Sequence, residues 1–412
     1  MMHFGRRFWV IGALSLAPAV ANSFARFAYA LLLPPMRAEL SLSYSQAGSL
    51  NTANALGYLL GAVLAAAYVS RVGNRRLFGV GMVVTVLALV ASGLADTFIA
   101  LLCLRAIAGF GGAMVFICGA VLASNVFPDR PTLAPTAIAV YFGGAGAGIL
   151  LSGAGIPWLL AVAGDDAWRV AWLAIGGISA LFAALGMWAA LRIQEPSSGT
   201  QKSPWQPGAF YAALGSYFLF GVGYIAYMTF VVAWMVSHGA SALDVALTWG
   251  TLGIATMLAP IGWRVPRSRW YAATTLAVAG LILSVGAAVP LVSTSLPAMI
   301  LSALFFGAAM FTIPTAVTDL VKTSLPKTAW GPAIARFTVV FAVGQAIGPF
   351  LSGWLADVTH SLYAGLAGSL IILMAASAVA MCQRQSDAES ITVRRRQSRR
   401  QMRLGDGSRL PT

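Results

Sequence analysis

The sequence predicts an all-α membrane protein: twelve transmembrane helices in two pseudo-symmetric six-helix halves, with both termini on the cytoplasmic side. Three observations carry that prediction. Apolar stretches of about 20–28 residues recur along the chain, each long enough for a helix to cross ~30 Å of hydrocarbon. The basic residues are sorted around them: of 26 Lys and Arg, 21 fall on one side of the stretches, 2 on the other and 3 inside. Cytoplasmic connections carry the Lys/Arg excess, so the basic side is the inner one. Short residue patterns also repeat between the first six and the last six stretches.

Composition agrees. Hydrophobic residues make up 59% and charged ones 9%, with a mean hydropathy of +0.81, outside the range of ordinary soluble domains. The net charge of +14 would suggest nucleic acid in a soluble protein; here the positive-inside bias accounts for it, and no nucleic-acid partner is expected. Cys103, Cys118 and Cys382 sit in apolar runs without disulfide or metal spacing, so they read as small apolar residues.

The first stretch, 8–34, follows Arg6-Arg7 and is too long for the ~7–15-residue apolar core of a signal peptide, so it is an uncleaved span. Span 2 (46–70) ends on Arg71, Arg75 and Arg76, a short basic connection to span 3 (77–95). Span 4 (98–124) returns to Arg130; span 5 (134–162) leads to the acidic pair Asp165-Asp166, and span 6 (168–192) back to Arg192. A stretch containing Glu195-Pro196-Ser197-Ser198-Gly199, Pro204 and Pro207 then reads as a flexible linker near mid-chain. Spans 7 (209–236) and 8 (243–263) lead to Arg264, Arg267 and Arg269. Spans 9 (270–292) and 10 (296–321) end on Lys322 and Lys327; spans 11 (331–356) and 12 (361–382) precede a basic tail. The predicted organisation is an N-terminal half, 1–193, a cytoplasmic linker, 194–208, a C-terminal half, 209–383, and a disordered tail, 384–412, either solvated or resting on anionic lipid.

The halves share patterns at an offset of about 196–200 residues, as expected of the repeats with which transporters build a midplane site. Arg26-Phe-Ala-Tyr29 lines up with Tyr224-Ile-Ala-Tyr227, and Ser152-Gly153 with Ser352-Gly353. Gly144-x-x-x-Gly148-x-x-x-Ser152 and Gly344-x-x-x-Gly348 form small-residue ridges for close helix packing.

Three basic residues escape the sorting: Arg26, Arg105 and Arg336. An Arg in mid-helix costs about 2.5–3.5 kcal/mol on insertion, so such residues face a cavity or a partner. Asn22, Arg26 and Tyr29 form one stripe on span 1 at i, i+4, i+7; Asn51, Asn54 and Tyr58 form a similar one on span 2. Two readings stand for Arg26 and for Arg105: a cavity cation for an anionic solute, or a polar brace against backbone carbonyls. Tyr217, Phe220, Tyr224 and Tyr227 share a face of span 7, to line the cavity or to pack. Asp319, sharing a face with Thr312 and Thr315, either carries a coupling proton or pairs with Arg336. His3, His238 and His360 lie at chain ends or in connections, which argues against an intramembrane enzyme; no Walker loop occurs, so ATP is not the direct energy source. No cofactor and no metal are expected.

At these residues the chain resembles the major facilitator superfamily over roughly 8–382. Arg71, Gly73, Arg75 and Arg76 match the family's cytoplasmic gate motif G-x-L-a-D-R-x-G-R-R, with Ser70 where Asp is usual and Ala66 where the first Gly is. Arg105, Gly109 and Gly111 match its fourth-helix pattern, with Ala108 for the Gln. The stretches Arg26–Pro34 and Ser45–Gly61 resemble the YbfB/YjiJ-like bacterial branch. The resemblance implies a secondary transporter of a small solute in the bacterial cytoplasmic (inner) membrane. It would work by alternating access, as a monomer, with the lipid bilayer and protons as its other partners. An organic anion is the first expectation for the solute. Export of a neutral or hydrophobic compound, or a non-transporting receptor or assembly role on the same fold, are the alternatives. Candidate solute contacts are Asn22, Arg26, Tyr29, Asn51, Asn54, Tyr58, Arg105, Tyr224, Tyr227 and Gln345.

Overall fold

The computed structural model describes residues 4–195 and 207–384. The tail beyond Arg384 and most of the expected linker lie outside the described residues. Among these residues the protein is entirely helical, as lipid demands: a backbone that cannot reach water must satisfy its amides within its own helix.

Twelve helices are long and apolar enough to span a membrane: Gly5–Glu39, Tyr44–Val72, Asn74–Ser92, Phe98–Ser124, Ala134–Ala163, Asp165–Leu191, Pro207–Ser237, Ala242–Arg269, Ala272–Val292, Leu296–Ser324, Trp330–Thr359 and Leu362–Met381. They keep the numbers 1 to 12 below. Spans 1 and 7 are the innermost: 67% and 89% of their most apolar stretch is buried within the protein, against 33–61% for the others. The repeat-related pair thus forms the axis. The other spans expose large apolar residues such as Leu60, Leu181, Ile261 and Ile371, a surface suited to hydrocarbon.

Two helix pairs make the main seam between the first six spans and the last six, span 2 with span 11 and span 5 with span 8. Both rely on backbone-to-backbone approach at glycine. A methyl group on Gly353 would strike the backbone of Tyr44, one on Gly48 the carbonyl of Pro349, and one on Gly146 would come within 2.7 Å of the Gly253 carbonyl. The two ridges read from the sequence face elsewhere. Gly144 and Gly148 abut span 1 at Ser15, Ala19 and Ser23, and Gly344 and Gly348 abut span 7 at Phe218 and Val222. They hold the central helices, while other glycines on the same spans make the seam.

Span 1 departs from a plain α-helix. Ala19–Phe27 is π-helical, and the Ala28 amide reaches back five residues to the Ser23 carbonyl at 2.7 Å. The Ser23 hydroxyl leaves the helix and donates to the Ala145 carbonyl at 2.5 Å. The wider turn breaks the α-helical phase that placed Asn22, Arg26 and Tyr29 on one stripe.

The expected partner of Asp319 is also corrected. Span 8 continues into a short helix, Arg264–Arg269, at the terminus-side end. That extension delivers Arg267, whose Nη2 and Nε donate to Asp319 Oδ2 at 2.7 and 2.9 Å. Arg336 is exposed on span 11 and is not a buried intramembrane charge. The Thr312 and Thr315 hydroxyls donate to the carbonyls one turn back, Ala308 and Phe311, so they do not assemble a polar site around Asp319.

Candidate functional site

Three arginines are buried among the described residues, and their surroundings differ. Arg7 pairs with Asp129 at 2.7 Å, tying the start of span 1 to the connection after span 4. Arg105, 1% exposed, is a brace. Its Nη1 donates to the Ala25 carbonyl at 2.7 Å, and its Nη2 reaches the Arg26 carbonyl at 3.5 Å and Asn51 Oδ1 at 3.3 Å. Its guanidinium lies over the rings of Tyr29 and Trp172, 4.9 and 5.5 Å from their centroids. The π-helical turn supplies the carbonyls Arg105 uses. Asn54 completes the knot by donating to the Ala25 and Arg105 carbonyls at 3.3 and 3.1 Å.

Arg26 is different. It is 5% exposed, yet its Nε and Nη2 have no hydrogen-bond partner. Its Cζ lies 5.5 Å from the centre of the Tyr58 ring on span 2. Across the seam, Gln345 Nε2 on span 11 donates to Tyr224 Oη, and Gln345 Oε1 is buried without a partner. Arg26, Tyr58, Tyr224 and Gln345 all sit near the middle of their spans. A buried guanidinium with unmet donors is expensive unless something else meets them.

The remaining candidates divide. Tyr29 donates to the Ala47 carbonyl at 2.7 Å, and Tyr227 shares a 2.5 Å hydrogen bond with Ser302 on span 10 while stacking on Phe306. Both are spent within their own six spans. Asn22 is buried on the π-helical turn. Asn51 joins the seam itself: its Nδ2 donates to Thr229 Oγ1 at 2.7 Å while its Oδ1 accepts from Arg105.

Aromatic rings form a ladder along span 7. Tyr217, Phe220 and Tyr224 stack in sequence, and Phe341 of span 11 lies against all three, with planes within 11–19° of parallel and centroids 4.5–6.0 Å apart. Because Tyr217 is nearest the terminus side, the ladder climbs from that side to the depth of Arg26. Opposite, on the first six spans, Tyr58, Phe116 and Phe142 make a second aromatic group.

Hydrogen bonds from Tyr44, Ser45, Asn51 and Thr52 cross the seam, and all lie on the side away from the termini. The Tyr44 and Ser45 amides each donate to Asp357 at 2.8 Å, and Thr52 Oγ1 donates to the Ala346 carbonyl at 2.7 Å. These bonds hold the seam together on that side. Asp357 falls one residue past the expected end of span 11, where the sequence alone gives it no task. The signal was present in the N-terminus of span 2, where Ser43–Gln46 closes a capping box but leaves amides for a carboxylate from elsewhere.

The loop with Arg71, Gly73, Arg75 and Arg76 engages the end of span 6. Arg75 Nη2 donates to the Ile193 carbonyl at 2.6 Å, and the Arg75 amide donates to Glu195 Oε1 at 2.7 Å. Gly73 has φ +88°, and a Cβ there would meet the Glu195 carboxylate at 2.8 Å. Glu195 thus puts a carboxylate at a motif whose usual Asp is Ser70 here. Arg71 and Arg76 are exposed.

Residues 18–381 match the family model described as "Uncharacterised MFS-type transporter YbfB". Solved transporters share the fold. A bacterial homologue of the human lysosomal transporter Spinster, inward-facing and occupied, aligns with TM-score 0.73 at 18% identity, covering 94% of this chain and 100% of that one. A D-xylose–proton symporter aligns with TM-score 0.70 at 16% identity, covering 90% and 97%. The nucleoside transporter NupG aligns with TM-score 0.67 at 11% identity, covering 93% and 98%.

Proposed function

The chain belongs to the YbfB-type family of major facilitator transporters, and from that membership we propose that it carries a small organic anion by alternating access, with Arg26 holding the anion. The observation that carries this reading is the buried Arg26 guanidinium with Nε and Nη2 unpaired at the seam. A guanidinium binds a carboxylate through two parallel N–H···O bonds, and an anion there would supply what the protein does not. Tyr224 and Gln345, from the opposite six spans, hold further polar groups near the middle of their spans, as Arg26 is of its own. One solute would therefore touch both halves, as alternating access requires.

The Lys/Arg bias supports a cytoplasmic location for the termini, which would put the hydrogen-bonded side of the seam outside, and a bacterial inner membrane fits the family. The two halves, 1–193 and 209–383, would rock about the seam in a single monomer. An ion gradient, protons first, would drive uphill movement. Asp319 is held by Arg267 near a span end, which favours a structural role over proton carriage.

Flux through proteoliposomes tests the reading. The wild-type protein should move labelled organic anions from a metabolite panel, and Arg26→Gln should abolish that flux while folding normally. Flux of neutral compounds alone would favour the second reading, an exporter of apolar compounds, to which the aromatic ladder is equally suited. Anion flux unchanged in Arg26→Gln would defeat the site assignment.

A further inference from the structure

The same site narrows the class of anion. We infer that the solute is a monoanion with a flat aromatic body, its carboxylate paired with Arg26 and its ring stacked on the ladder of Tyr217, Phe220, Tyr224 and Phe341. This rests on the reading of Arg26 as the anion-binding residue.

The charge count comes first. Neither Arg26 nor Arg105 has a carboxylate partner among the described residues, but Arg105 spends Nη1 and Nη2 on the carbonyls of Ala25 and Arg26 and on Asn51, so Arg26 is the one that offers an open edge of two donors. A single carboxylate neutralises it. A dianion would carry a second carboxylate into a buried site where the other cation, Arg105, already has both Nη atoms bonded within the protein. A zwitterion fares no better. Every Asp and Glu among the described residues lies in a connection or near a span end, so an ammonium group would find no carboxylate at the depth of Arg26.

The walls come second. A polyhydroxylated solute needs many hydrogen-bonding groups, whereas the unpaired groups beside the seam centre are few: Nε and Nη2 of Arg26, Nε of Arg105 and Oε1 of Gln345. The rest of the surround is ring. Phe341 is half-buried and lies nearly parallel to Tyr217, Phe220 and Tyr224, with interplanar angles of 11–14°. Parallel faces at this spacing extend naturally to one more flat ring. A ring entering from the terminus side meets Tyr217 first and reaches Arg26 at the top of the ladder.

The test uses the full-length protein purified in detergent, with affinities read from the rise in unfolding midpoint as four probes are titrated. Benzoate is the flat monoanion, cyclohexanecarboxylate its puckered isostere, benzamide its neutral analogue and phthalate the dianion. Benzoate should bind at least about tenfold more tightly than benzamide or phthalate, the value of a charge-assisted pair. It should exceed cyclohexanecarboxylate by about two- to tenfold, the worth of ring stacking beyond area burial. Phe341→Leu should remove the second difference and keep the first; Arg26→Gln should remove the first. Equal binding of benzoate and cyclohexanecarboxylate overturns the aromatic assignment and leaves the organic-anion reading standing. Benzamide binding as tightly as benzoate overturns both. No binding of benzoate overturns the inference and leaves the flux assay on Arg26 to judge the broader reading.

Discussion

Asp357 near the end of span 11 caps Tyr44 at the start of span 2: its Oδ1 accepts the Tyr44 amide, and its Oδ2 the Ser45 amide, each at 2.8 Å. A carboxylate from one half therefore occupies the positive end of a helix from the other, where the first amides have no partner in their own helix. Rocking the halves apart must break both bonds together.

Asp357→Asn is expected to loosen this gate without unfolding the protein, because an amide can accept at one oxygen only. Losing one charge-assisted bond is worth about 1.5–3 kcal/mol, a shift of about ten- to a hundredfold toward the state open on that side. Thr52→Cys, placed in the seam, reports the change through its rate of maleimide labelling. An unchanged rate in the Asp357→Asn background would show that the bonds do not hold the gate.

Gly353→Ala acts on the same gate by sterics. Its methyl group would collide with the backbone of Tyr44 and approach Ser45 Cα at 3.0 Å, and backbone cannot swing aside as a side chain does. Overpacking of this kind costs about 1–3 kcal/mol. Here it is charged to the closed state alone, so the variant should fold, label faster at Thr52→Cys, and transport more slowly. A matched Gly331→Ala control, at a glycine with nothing within 4 Å, should label and transport like wild type.

Arg105 and Arg26 should separate stability from transport. Arg105→Ala strips donors from the Ala25 carbonyl and from Asn51, and should destabilise the protein by about 2 kcal/mol or more, seen as a lower unfolding midpoint. Arg26→Met removes a buried charge whose Nε and Nη2 have no partner, so without solute it should leave the midpoint unchanged or raise it while abolishing anion flux. A large loss of stability in Arg26→Met would mean that the residue is a brace like Arg105.

The spans were legible because lipid imposes a long apolar run on every crossing helix, and charge sorting adds their direction. The different hydrogen bonding of the buried arginines was not. Arg26 and Arg105 look alike as basic residues in apolar runs; what separates them is the π-helical turn Ala19–Phe27, which aims carbonyls at Arg105 and which no α-helical period reveals. Tyr29 and Tyr227 match in the repeat, which makes both candidate solute contacts. Their hydroxyls instead reach Ala47 and Ser302, partners many residues away that periodicity cannot supply. Asp357 and Glu195 were missed for the same reason, since each meets backbone amides of a distant helix start.

Asp319 offers the last discrimination, between a proton carrier and an ion-pair partner. Its carboxylate receives Nε and Nη2 of Arg267, and both side chains are about 30% exposed, at 28% and 29%. A pair that open to solvent is worth about 0–1 kcal/mol, so Asp319→Asn should shift the unfolding midpoint only slightly. Were Asp319 the coupling group, neutralising it would decouple flux from the proton gradient and flatten the dependence of uptake on external pH. The ion pair with Arg267 predicts otherwise: Asp319→Asn should keep the wild-type pH profile, with a modest loss of rate. Arg267→Gln should reproduce that loss, and the double variant should add little to either single one, since the two residues act through one contact. A flattened pH profile in Asp319→Asn, with Arg267→Gln unaffected, would assign the proton to Asp319 and reduce Arg267 to its positioning residue.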